Sequence, residues 1–97
     1  MSYQHLVFRV HAVQSMAERA IAIATADVRH ALDTGEVIAH YRDDSPYPSR
    51  LILGWTGTRP IHVVAADSDD DQLTIVITVY EPDLQLWEPG LKTRRKP

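Results

Sequence analysis

Leu73-Thr74-Ile75-Val76-Ile77-Thr78-Val79-Tyr80, closed by Glu81-Pro82, is the stretch on which the reading of the fold turns. Side chains alternate across a strand. Leu73, Ile75, Ile77 and Val79 are therefore expected on one face and Thr74, Val76, Thr78 and Tyr80 on the other, while Pro82 ends the run because it has no N–H to offer a ladder. Upstream, Ile61, Val63 and Ala65 alternate with His62, Val64 and Ala66. Joined through the acidic loop Asp67 to Gln72, the two runs read as a hairpin with His62, Thr78 and Tyr80 on its outer face.

Working outward, Leu51 to Trp55 is a third strand signal, joined to the hairpin by Thr56-Gly57-Thr58-Arg59-Pro60. Val37, Ala39 and Tyr41, alternating with Ile38 and His40, give a fourth, broken by Asp43-Asp44-Ser45-Pro46-Tyr47-Pro48. Pairing Val63 with both Ile77 and Leu53 keeps the apolar sides together, with Trp55 in the core register. It sets His62 opposite Thr78 and Gly54, the glycine leaving space beside the imidazole and Tyr80 lying diagonal to it.

Before Gly35 the period is helical. Val13, Met16, Ala17, Ala20, Ile21 and Ala24 recur at offsets of three and four, predicting a helix that starts near His11 and lies against a core. Thr25 is placed to cap a second helix carrying Val28, Ala31 and Leu32, and Gly35 to end it. Leu6 to Val10 is available as an added N-terminal strand. The expected class is α+β: two N-terminal helices packed on one face of a four-stranded antiparallel meander. Residues 1–91 read as a single domain and 92–97 as a basic tail.

Composition narrows the function classes. The 97 residues contain no cysteine, which excludes disulfides, thiolate nucleophiles and cysteine-bound zinc, and points to a reducing cytoplasm. No apolar run approaches the roughly 18 residues that a membrane helix needs. Residues 1–91 hold six basic and thirteen acidic side chains, and the net charge of −3 is reached only through Lys92, Arg94, Arg95 and Lys96. An acidic body with a short basic tail is a poor match to a phosphate backbone, so RNA is not favoured as a partner. The tail itself reads as a solubilising, disordered end.

Several fragments together resemble a family of small bacterial proteins classed as a domain of unknown function, distantly similar to the RelE/BrnT-like toxin superfamily. They are His11-Ala12 with Met16 and Glu18-Arg19, Asp27-Val28, Gly35-Glu36-Val37-Ile38, Tyr41, Pro46-Tyr47-Pro48, Leu53-Gly54-Trp55, His62-Val63-Val64, Ile77 to Pro82, and Trp87. Ser15 and Ala20 stand where that pattern has arginine and glycine, which argues against a phosphate-binding role for the first helix. The resemblance implies a fold more than a reaction.

By analogy with ribonuclease toxins of that superfamily, His62 would act as general base or acid, Tyr80 as a hydrogen-bonding or stacking group and Glu81 as a second proton carrier. Arg19 or Arg59 would clamp the phosphate, with Thr78 and Gly54 lining the site. The competing reading is that His62 and Tyr80 merely cover an exposed sheet face, off the core, with Thr78 supplying strand propensity. His11 is expected to cap or pack rather than react, and His5, His30 and His40 are too dispersed to form a metal site by spacing. Asp67, Asp69, Asp70 and Asp71 fail as a calcium loop, because Gln72 occupies the turn-glycine position and Thr78 that of the bidentate glutamate. No metal or cofactor is expected. Trp87, beyond Pro82, is expected to fold back over the sheet edge or to meet another subunit.

Two classes remain: a non-catalytic module that binds a small protein partner or its own copy as a homodimer, ranked first, and an RNA-cleaving enzyme using the His62/Tyr80 face.

Overall fold

The computed structural model describes residues 2–18 and 22–96. The chain runs β1 (His5–Phe8), α1 (Val10–Ala17), α2 (Thr25–Thr34), β2 (Glu36–Tyr41), β3 (Ser49–Thr56), β4 (Arg59–Ser68) and β5 (Leu73–Tyr80). The strands form one five-stranded sheet in the order β1-β5-β4-β3-β2. The expected α+β class and antiparallel meander are present, and the N-terminal strand completes the sheet. That strand runs parallel to β5, pairing His5 with Leu73 through Phe8 with Val76, so the sheet is mixed. The helical crossover between β1 and the meander permits this direction.

Helix α1 lies over β5 and α2 over β3. Beneath them a core gathers Ala12, Met16, Val28, Ala31 and Leu32 with Ile52, Ile61, Val63, Ala65, Val76 and Val79. Met16 is in this core as expected, whereas Val13, also expected there, is 52% exposed and Ala12 faces inward instead. Ile21 lies outside the described residues. Helix α2 begins at Thr25, one residue earlier than expected, with Ala24 rather than Thr25 as its N-cap. The Asp27 carboxylate accepts from the Ala24 N–H at 2.9 Å and from the Thr56 hydroxyl at 3.0 Å, fixing the helix start to the end of β3. Gly35 ends the helix as expected.

Three register features depart from the simple pattern, the first a shift between Val37 and Ala39, which oppose Ile52 and Leu51 and leave Ile38 as the extra residue of β2. Between β4 and β5 a bulge falls between Val64 and Ala65, which oppose Thr78 and Val76 and leave Ile77 as the extra residue. Val76 and Val79 therefore both face the helices, whereas strict period two had assigned Ile75, Ile77 and Val79 to that side. On the other edge, Val63 pairs with Ile52 and Gly54 with Ile61, a one-residue slip from the expected Val63–Leu53 pairing. The slip turns Ile52 and Gly54 toward the helices and Leu51, Leu53 and Trp55 to the opposite face. Trp55, expected in the core, is 46% exposed.

The opposite face is covered by residues 83–96. This strap holds itself together: Asp83 O accepts from the N–H groups of Leu86 and Trp87, Glu88 N–H donates to Thr93 O, and Arg95 N–H donates to Leu86 O. Leu91 N–H closes the turn Glu88-Pro89-Gly90-Leu91 onto Glu88 O at 2.9 Å. Proline at the second position and glycine at the third, with φ +94°, make this a type II turn. Arg94 and Arg95, assigned from sequence to a free end, are thus folded back, Arg94 pairing with Trp87.

Candidate functional site

The second face carries a compact aromatic cluster around His62. The shifted register sets His62 directly opposite Tyr80, with Leu53 as its other neighbour. The two residues picked out by sequence are therefore in direct contact, whereas Thr78 sits one pair further along, opposite Val64. Trp87 and Leu91 of the strap plug the face above, both 7% exposed, and pack with Leu51, Leu53, Val64 and Tyr80.

Under this cover His62 is 0% exposed. Its ring meets Trp87 edge-on at a centroid distance of 4.5 Å and Tyr80 at 5.2 Å. The Leu91 carbonyl lies 2.8 Å from Nε2, and a carbonyl can only accept, so Nε2 carries the proton. In the neutral ring that burial favours, Nδ1 is then the acceptor, and the Tyr80 hydroxyl donates to it at 3.1 Å. Both ring nitrogens are engaged, as a neutral imidazole. Burial holds the His62 pKa below the ordinary histidine range, partly opposed by the bond to Leu91. Burial likewise pushes the Tyr80 phenol up, reinforced by Tyr41 and partly offset by Arg94.

The expectation of an exposed His62 face is therefore corrected: the strap converts it into a second core. Gly54 is corrected as well. It faces the helices, where a Cβ would lie 2.3 Å from the Ala31 Cβ, so its missing side chain admits α2 rather than a ligand. Arg59 and Glu81 come together as an ion pair at 3.2 Å, which binds each proposed phosphate or proton group to the other. Arg19 lies outside the described residues. His11 is exposed on α1, away from the cluster.

Trp87, Leu91 and Arg94 complete the cluster and were not chosen as site residues from sequence. Arg94 stacks its guanidinium 5.7 Å from the Trp87 ring centroid. The Pro89-Gly90 pair was the available signal that the chain reverses there and returns Leu91 to the sheet.

The acidic hairpin is engaged internally. Asp67 pairs with Arg50 at 3.1 Å and accepts from Thr74, Asp69 accepts from Tyr3, and Asp71 accepts from Ser68. No group of three or more metal-ligating side chains occurs among the described residues. No helix among them is long and apolar enough to cross a membrane.

No curated protein and no solved structure matches the chain. Residues 8–81 match the model of a family described as a domain of unknown function, DUF4258. With β1's last residue, both helices and the whole meander inside that match, the chain belongs to the DUF4258 family.

Proposed function

We propose that this protein is a non-catalytic, cytoplasmic interaction module of toxin-like fold that associates with its own copy or a small protein partner. The observation that carries the reading is the state of His62: fully buried, neutral, and hydrogen-bonded at both nitrogens. A general acid or base must reach the proton it transfers, and this imidazole is separated from any substrate by Trp87 and Leu91. Exposed apolar side chains elsewhere, Val10 at 71%, Leu84 at 58% and Val13 at 52%, supply surface for a partner.

The second reading, a RelE/BrnT-like endoribonuclease, draws support from the direct His62–Tyr80 contact and the nearby Arg94. It requires the strap to leave the sheet. Incubating the protein with unstructured and hairpin RNAs, alongside sedimentation over a concentration series, tests the choice. Concentration-dependent association without cleavage supports the module. Cleavage abolished by His62→Ala and cut about a hundredfold by Tyr80→Phe would replace it with the enzyme.

A further inference from the structure

The strap is built as a separable unit. Among the described residues, its backbone–backbone hydrogen bonds outside regular strands all close within 83–95, and none reaches the sheet. Its ties to the sheet, among the described residues, include two apolar plugs, Trp87 and Leu91, the Leu91–His62 bond, the charge of Arg94 near Tyr80, and a solvent-exposed Lys92–Glu36 ion pair at 2.9 Å. It leaves β5 through Glu81-Pro82 and a single tight turn at Asp83. That turn is closed by the Asp83 carbonyl and by its carboxylate, which accepts from Gln85 N–H at 2.8 Å. The family match, 8–81, contains the face but not the strap.

The docked strap leaves an unfinished surface at its root. Leu84 is 58% and Leu86 48% exposed, beside a turn whose hydrogen bonds water can replace. If the Asp83 turn opens, the strap of one chain can make every contact with a second chain's face that it makes with its own. In such an exchange the two roots would meet near the two-fold axis, bringing Leu84 and Leu86 toward their counterparts. The closed form leaves those leucines about half exposed, and an exchanged form would cover them further.

We propose that a second copy of this chain is the partner, bound by reciprocal exchange of residues 83–96 across the His62 face, with Leu84 and Leu86 forming the new contact at the hinge. The proposal rests on the self-association reading above and specifies its interface.

The absence of cysteine makes a direct test available. Glu36→Cys and Lys92→Cys replace an ion pair that is more than half exposed on both sides, so the fold should tolerate them. The full-length single variants are unfolded together, refolded and treated with a short bis-maleimide. Exchange predicts covalent dimers linked between positions 36 and 92 of different chains. A chain carrying both substitutions, refolded at the same concentration, should likewise give dimers. Leu84→Ser with Leu86→Ser should weaken the dimer by about tenfold or more without unfolding the monomer. Dimers by sedimentation whose 36–92 links are all within one chain would overturn the exchange and leave self-association standing. A chain that stays monomeric throughout, or dimers indifferent to the leucine changes, would also overturn it.

Discussion

The Tyr80 hydroxyl donates to Nδ1 of His62 at 3.1 Å across the β4–β5 ladder, and the other ring nitrogen donates to the Leu91 carbonyl, so one imidazole joins two strands and the strap. Tyr80→Phe keeps the ring and leaves a buried nitrogen without its donor. The expected loss is about 1–3 kcal/mol of unfolding free energy, read from urea denaturation. His62→Ala, which also opens a cavity beneath Trp87, should cost at least as much. On an exposed, off-core face both changes would be nearly neutral; here the strap buries His62 and half-buries Tyr80, so a denaturation midpoint unmoved by either variant would refute the structural role of the pair.

Stability should fall on acidification through His62. Its folded pKa is lowered by burial, so the unfolded chain, with histidine near its ordinary value of about 6.5, takes up a proton first. The contribution is fully present above that pH and is lost progressively as pH drops toward the lowered folded value. Measured from pH 8 to 5, the unfolding free energy of His62→Gln should decline less steeply than that of the parent chain. Parallel curves would show that His62 does not carry the slope.

Gly54→Ala should be strongly destabilising, because its Cβ would approach the Ala31 Cβ to 2.3 Å and the Ala31 Cα to 2.8 Å. Overpacking of this kind costs about 1–3 kcal/mol, and lifting α2 off β3 is the only relief. Ala31→Gly in the same chain should recover part of the loss, less its own helix cost of about 1 kcal/mol. A double variant no more stable than Gly54→Ala alone would refute the contact as the cause.

Gly90 tests the strap separately. A Cβ there meets nothing within 4 Å, yet φ is +94°, so Gly90→Ala adds backbone strain without a clash. A cost of about 1–2 kcal/mol is expected, concentrated in the strap. In a Trp55→Phe background, Trp87 emission should shift toward that of a solvated indole while the helical circular dichroism stays unchanged. Loss of both signals together would show that the strap and the domain unfold as one unit.

Much of this protein was legible in the order of its residues. Helical periodicity before Gly35 and period two after it gave the two helices and the meander, and the alternation at Ile61–Ala66 put Ile61, Val63 and Ala65 in the core and His62 on the opposite face. Local chemistry suffices there, because burial of one face imposes its period on the chain. The bulge at Ile77, the slip that carries Gly54 under Ala31, and the parallel seat of β1 were decided by packing between distant segments. Both Ile77 and Val76 are apolar, so nothing local says which faces the helices. The site turned on the same distinction: sequence could place His62 and Tyr80 on one face, but only the return of Trp87 and Leu91 over that face decides that the histidine is buried, neutral and bonded at both nitrogens.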